Sequence, residues 1–245
     1  MTRRSYRPIL AGCACILGLV LVSHAQVSAP QADDVLHSEM KYIKAEAAKA
    51  KLLPRATKKL RAALVVAAAA AHAAADNKES PLAGVATKAL EAAKALDKDP
   101  AAAKKIIAEM DAKHPAAKLP ALKYHDALEL KLVMNIFSNE KIGGFGLEKA
   151  ITDDLVDHKG AFDADALKTI AVLAAKTALI GDIILDYPPT EESGMKTKKN
   201  WVAFSHDMSK VATELASAAK SKSGDIGKIA DKLGKTCAAC HDVFR

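Results

Sequence analysis

The chain has 245 residues and a formal net charge of +7, which falls to +4 when three arginines of a predicted N-terminal signal are removed. A mildly basic surface of this kind is not typical of a nucleic-acid-binding protein. Half of the residues are hydrophobic, only 4% are aromatic and alanine is abundant, so the composition favours an all-α fold of closely packed helices.

The N-terminus has the pattern of a secretory signal peptide. Three arginines precede an apolar run over residues 9–22, and small residues follow where a signal peptidase cleaves. The run is too short to span a membrane comfortably. Residues 1–25 are therefore predicted to be cleaved, after Ala25 or alternatively after Ala29, which leaves a periplasmic chain with no stable membrane span. Two of the four cysteines leave with this segment, so no disulfide framework supports the mature fold.

Residues 26–115 are predicted to form an alanine-rich helical region without a haem motif. Helices are expected at 33–51, 57–75, 82–96 and 101–112. Two prolines in a short polar stretch at 114–120 predict a linker to a second region, residues 121–245. Leucine, valine and alanine positions in 60–76 align with those in 167–182, so an internal duplication is one interpretation.

The second region is also predicted to be helical. Helices are expected at 122–138, 147–157, 163–186, 200–220 and 224–244. Asp163 is suited to cap the third of these, and glycines at 143–146 indicate a loop between the first two.

The last predicted helix carries the most specific motif in the chain, C-x-x-C-H at residues 237–241. Two thiols at this spacing can each add to one vinyl group of a haem, and the imidazole of His241 can then bind the iron from the proximal side. A structural zinc site would need four ligands, a thioredoxin-like pair would open a helix after a strand, and a disulfide across two residues would stabilise little. Both thiols share one helical face with Ile226, Ile229, Leu233 and Phe244. The motif therefore predicts one covalently attached haem c.

The extended C-terminal pattern C-x-x-C-H-x-x-F-R follows an amphipathic helix, a short Ser/Gly/Asp turn and another helix. This arrangement, over residues 201–245, resembles cytochrome c-prime and its relatives, the class II c-type cytochromes. The resemblance implies that residues 121–245 form a four-helix bundle with the haem near one end. It also allows a homodimer, because such bundles often pair.

The resemblance also implies roles for individual residues. Cys237 and Cys240 would carry the thioether bonds, and His241 would be the proximal iron ligand. Phe244 would lie at the haem, and Arg245 beside the proximal imidazole or a propionate.

The distal side of the iron separates two functions. By resemblance, this side is either open or filled by a methionine of the first bundle helix, here Met134. A methionine ligand would favour electron transfer, whereas an open site would bind NO or CO. Core packing is the competing interpretation of Met134. Met208, His125 and His206 are the alternative ligands.

The predicted function is electron transfer by an exported c-type cytochrome, not an enzyme, that exchanges single electrons with redox partner proteins in the periplasm. Cytochrome c-prime-like gas binding is one alternative. A haem subunit whose residues 26–115 dock onto a larger redox complex is another. Lys228, Lys232 and Lys235 recur on the side of the last helix opposite the thiols, where they form either a basic docking face or an ordinary solvated surface.

Overall fold

The structure, a computed structural model, describes residues 27–244, and the regular secondary structure of these residues is helical. No β-strand occurs among these residues, so the predicted all-α class is confirmed for them. None of their helices combines the length and apolarity that crossing a membrane requires. The predicted signal peptide, residues 1–25, and Arg245 lie outside the described residues.

Four helices form the N-terminal part: α1 (Ala29–Ala47), α2 (Pro54–Ala74), α3 (Leu82–Ala95) and α4 (Pro100–Glu109). Each lies within a few residues of its predicted position. Helices α2 and α4 both begin at a proline, where the missing backbone N–H would have had no intrahelical partner. The Asp99 carboxylate caps α4 by accepting hydrogen bonds from the N–H groups of Ala101 and Ala102, at 3.0 and 2.9 Å.

The C-terminal part has two short helices followed by three long ones. The short ones are α5 (Leu130–Met134) and α6 (Leu147–Lys149), which continues as a π-helical turn, Ala150–Asp154. The long ones are α7 (Ala164–Ile184), α8 (Lys198–Ser221) and α9 (Ile226–Phe244). Asp163 is the predicted N-cap of α7, and its Oδ1 accepts a hydrogen bond from the N–H of Ala166 at 2.7 Å.

The helix predicted at 122–138 is wrong, because residues 122–157 form what we call the irregular segment. It contains 3₁₀ turns at Tyr124–Asp126 and Glu140–Ile142 in addition to the short helices. Other parts of the chain bind its carbonyl groups. Arg61 Nη2 donates to the Ala127 oxygen at 3.0 Å, and the Tyr187 hydroxyl donates to the Leu128 oxygen at 2.6 Å. These tertiary hydrogen bonds compete with the backbone bonds that a continuous helix would need.

The three long C-terminal helices pack in succession and antiparallel. Between α7 and α8, Trp201 Nε1 donates to the Ile184 oxygen at 2.8 Å, and Ser209 Oγ donates to the Ala178 oxygen at the same distance. The irregular segment contacts α7 and α9, and it contains no long helix that could complete a bundle with α7, α8 and α9. The helical class is therefore observed, whereas a regular four-helix bundle is not.

The N-terminal helices share their core with the C-terminal part. Helix α1 packs on α2 and α7, α2 also contacts α7, and the buried apolar side chains of both parts form one continuous cluster. A buried ion pair joins α1 to α7, since Lys176 Nζ lies 2.6 Å from Glu39 Oε1. The same ammonium lies 3.6 Å from the centroid of the Phe145 ring, and burial lowers the pKa of Lys176.

The predicted linker and duplication can be compared with this arrangement. Ala117, in the linker, exchanges two backbone hydrogen bonds with Ser80 at 3.0 and 3.3 Å, so this stretch is held against the N-terminal helices. The packing order α2–α3–α4 parallels α7–α8–α9, and α2 and α7 each have 21 residues. The duplication stays a prediction, as does the division into two regions.

Candidate functional site

The C-terminal helix α9 carries the predicted site on the face that packs inward. Along this face, Ile226, Ala230 and Leu233 are buried, and Cys237 and Cys240 are half-buried. Ala238 and Ala239, between the two thiols, are exposed. The helical stripe read from the sequence therefore has the orientation that was predicted.

Aromatic packing fixes the end of α9 against the start of α8. The Phe244 ring meets the Trp201 ring edge to face at a centroid distance of 4.9 Å, and it meets the Phe204 ring in the same way at 6.2 Å. Such pairs stabilise beyond the area they bury. The last turn of α9, with the C-x-x-C-H motif, is thereby held in one position relative to α8. Phe244 itself does not line the cavity beside the motif, so its predicted place at the haem stays a prediction.

A cavity of about 310 Å³ lies beside the motif, at the meeting point of α7, α8, α9 and the irregular segment. Its volume is at the lower end of the range of about 300–1,000 Å³ that is typical of small-molecule sites. Four residues of the motif line it: Cys237, Ala238, Cys240 and His241. The other lining side chains are mostly apolar and include Met134, Phe137, Ile151, Ile184, Phe204 and Met208.

The surroundings of the two thiols shift both of their pKa values in the same direction. Neither thiol forms a disulfide. Burial raises the pKa of Cys237 to about 11, and the nearby Glu148 carboxylate contributes in the same direction. Burial also raises the pKa of Cys240. In dithiol redox motifs the reactive cysteine instead has a lowered pKa. The electrostatics here therefore do not favour thiol–disulfide exchange.

Both candidate methionines reach the cavity. Met134 is the last residue of α5 and is half-buried, whereas Met208 is buried in the middle of α8. The irregular segment therefore brings Met134 beside Cys237 even though the long helix predicted to carry it is absent. Met208, which the sequence made a secondary candidate, lines the same space. Two methionines from different elements thus line the cavity that the motif also lines.

The structure does not bring the two candidate histidines to this cavity. His125 is exposed, and its Nδ1 lies 2.7 Å from Asp186 Oδ2. His206 lines a different cavity, together with His72 and Asp182. As distal ligands, His125 and His206 are therefore in the wrong place.

Two carboxylates at the cavity were missed by the sequence analysis. Glu148, at the start of α6, and Asp242, beside His241, both line it. Asp242 follows the motif directly and could have been included. Glu148 precedes Cys237 by many residues, and only tertiary packing brings the two together. Trp201, the single tryptophan of the chain, precedes Phe204 by three residues, a helical spacing that could have indicated the aromatic cluster.

The lysines of α9 form ion pairs with neighbouring carboxylates. Nζ–O distances are 3.1 Å for Lys228 with Asp225, 2.9 Å for Lys232 with Glu214 and 2.6 Å for Lys235 with Asp231. All three pairs are exposed. This side of α9 therefore has the character of an ordinary solvated surface, not of a basic docking face.

Comparison with known proteins adds no relative: no protein-family model, curated protein or solved structure matches the chain. Among residues 27–244, no group of three or more His, Cys, Asp or Glu side chains is arranged to hold a metal ion. The resemblance to cytochrome c-prime stays a prediction that depends on the C-terminal pattern.

Proposed function

We propose that the protein is an exported c-type cytochrome that transfers single electrons through one haem c held at the C-terminal end of α9. The observation that carries the proposal is the shared cavity of Cys237, Cys240 and His241. These three groups are the complete donor set for covalent attachment and proximal ligation. They lie on one face of a helix whose end is fixed by aromatic packing.

The side chains of Cys237, Cys240 and His241 are of the types that hold a haem c. Both cysteines are free thiols, and each can add its S–H across one vinyl double bond, so that a carbon–sulfur bond forms and the hydrogen goes to the neighbouring carbon. The imidazole of His241 supplies a nitrogen ligand on the same wall. When bound, the haem iron supplies the one-electron ferric–ferrous couple.

The apolar wall of the cavity supports electron transfer by limiting the access of water. Phe137, Ile151 and Ile184 are buried side chains that line it. A dry environment lowers the local dielectric constant and reduces the solvent reorganisation that accompanies a change of iron charge.

The two methionines favour electron transfer over gas binding. Met134 and Met208 both line the cavity. A thioether ligand from either one would stabilise ferrous iron and would leave no open position for NO or CO. The distal site would be open only if neither methionine bound the iron and both served only in core packing. Docking of residues 26–115 onto a larger complex is less favoured, because the apolar faces of α1 and α2 pack against α7 within the chain.

The first experiment tests the haem. The full chain is expressed in cells with a c-type cytochrome maturation system, beside a Cys237→Ser/Cys240→Ser variant. We expect haem that survives denaturing electrophoresis in the wild type only, with one haem per chain in the pyridine haemochrome assay. Wild-type protein without covalent haem in matured cells would refute the proposal.

The second experiment separates the two functions. Absorption spectra of the ferric and ferrous protein are recorded with and without CO, for the wild type and for Met134→Leu, Met208→Leu and the control Met110→Leu. Met110 is buried at the end of α4 and does not line the cavity. We expect low-spin, CO-insensitive spectra that become CO-sensitive in one of the two cavity variants only. High-spin wild-type haem that binds CO would contradict electron transfer with a methionine ligand and would favour gas binding.

A further inference from the structure

Two bulky aliphatic side chains protrude from neighbouring loops at one end of α1. Leu53, in the loop between α1 and α2, is 64% exposed, and Ile142, in the turn Glu140–Ile142, is 60% exposed. The turn lies close to the start of α2, because a Cβ placed on Gly143 would lie 3.6 Å from the carbonyl oxygen of Arg55, the second residue of α2. Lys59 Nζ also lies 3.7 Å from Glu140 Oε1. Exposed aliphatic groups that lie together within a polar rim are typical of interaction sites.

Basic side chains surround these two residues. No aspartate or glutamate occurs from residue 47 to residue 75. The exposed basic residues of this end are Lys51, Arg55, Lys58 and Lys141, none of which forms an ion pair within residues 27–244. The nearest carboxylates have other partners, since Glu46 pairs with Lys49 at 2.6 Å and Glu140 with Lys59. We call Lys51, Leu53, Arg55, Lys58, Lys141 and Ile142 the basic tip.

We propose that the basic tip docks the protein on the surface of an anionic phospholipid membrane. Protruding aliphatic groups enter the boundary between headgroups and acyl chains, while flanking lysine and arginine side chains bind lipid phosphates. A surface that binds a protein partner would be expected to contain aromatic residues at its centre and to be complementary in shape to that partner. The basic tip contains no aromatic residue.

Docking of this kind would not require the haem, but it would determine how the cavity is placed relative to the membrane. The turn that carries Ile142 belongs to the irregular segment, which also supplies Met134, Phe137 and Glu148 to the cavity. A chain that rests on the membrane through the basic tip therefore keeps that segment close to the bilayer surface.

The chain offers a matched control at the other end of α1. Gln31, near the start of α1, has its Nε2 3.5 Å from Ser217 Oγ, so the C-terminal end of α8 lies there. Lys220 and Lys222 are exposed at this end and carry the same charge as Lys51 and Arg55. A helix of 19 residues, at about 1.5 Å per residue, separates the two ends by roughly 28 Å.

The test is co-sedimentation of the purified full chain with vesicles of phosphatidylcholine alone or with one quarter phosphatidylglycerol. Lys51→Gln/Arg55→Gln should reduce the fraction bound to anionic vesicles by about fivefold or more, whereas Lys220→Gln/Lys222→Gln should change it by less than twofold. Leu53→Ser/Ile142→Ser should reduce the fraction bound to anionic vesicles both at low salt and at high salt. Helical circular dichroism should match the wild type in every variant, because all six positions are exposed.

Three outcomes would overturn the proposal. The first is that both variants of the basic tip bind anionic vesicles as well as the wild type does. The second is an equal loss in the Lys51/Arg55 and Lys220/Lys222 variants, which would indicate general charge attraction. The third is retention on immobilised polyglutamate that depends on the tip when vesicle binding does not, which would assign the tip to acidic proteins.

Discussion

Replacing Lys176 with methionine tests whether the N-terminal helices are an integral part of the core beside the cavity. Lys176 on α7 and Glu39 on α1 form the buried ion pair that joins the two parts, with side chains only 7% and 4% exposed. Glu39 Oε2 has no hydrogen-bond partner within residues 27–244. In Lys176→Met, the Glu39 carboxylate would therefore lose its ion-pair partner while its side chain stays buried.

The expected loss of stability is large. Removing one partner of a buried pair costs about 3–5 kcal/mol, because an uncompensated charge remains. At about 2–4 °C per kcal/mol for a chain of this size, Tm should fall by roughly 6–20 °C. Glu39→Leu/Lys176→Met removes both charges and should recover most of this loss. Lys228→Met, which breaks an exposed pair with Asp225, should cost less than about 1 kcal/mol.

The assay is urea and thermal unfolding followed by circular dichroism at 222 nm, with Tm and the free energy of unfolding compared across the four proteins. A single cooperative transition in the wild type is expected from the shared core. A loss below 1 kcal/mol in Lys176→Met, or a double variant no more stable than the single one, would refute the reasoning. Two separate transitions in the wild type would show that the parts unfold independently.

Three further predictions concern single positions. Before haem attachment, Cys237 should be alkylated at pH 8 about 100-fold more slowly in the folded than in the urea-unfolded chain, because burial raises its pKa from 9.0 to about 11; equal rates in peptide mapping would contradict this. Asp163→Ala removes the cap bond to Ala166 and should lower the free energy of unfolding by about 1 kcal/mol; an unchanged Tm would show that the cap contributes nothing. Gly144→Ala should cost about 3 kcal/mol or more, since its Cβ would lie 2.0 Å from the Ser138 oxygen; wild-type stability would mean that this turn relaxes.

The helices that the sequence predicted correctly are those with local signals. Helix α4 has Asp99 as a cap and Pro100 in its first turn, and α7 has Asp163 as a cap. The failure at 122–138 has a different origin. Its apolar pattern is compatible with a helix, but the donors that interrupt it come from Arg61 and Tyr187, which are distant in the sequence. No local pattern contains that information.

The candidate site divides in the same way. The spacing of Cys237, Cys240 and His241 within one helix sufficed to place them on one face. The opposite wall of the cavity is supplied by α7, α8 and the irregular segment, so its composition depends on tertiary packing. Met134 was proposed from resemblance to a family in which a long helix carries the ligand, and here a five-residue helix brings it to the cavity. Glu148 had no signal in the sequence.

The absence of a long helix from the irregular segment also explains why the core needs the N-terminal helices. The second half of α7, residues 174–181, is buried on every side, which one neighbouring helix cannot achieve. Helix α8 covers one side, and α1 and α2 cover another, whereas the five-residue α5 is too short to cover α7 along its length. Helices α1 and α2 therefore complete the core that positions α8 and α9. Truncating residues 26–115 should expose α7 and disrupt the cavity even though no residue of α1 or α2 lines it.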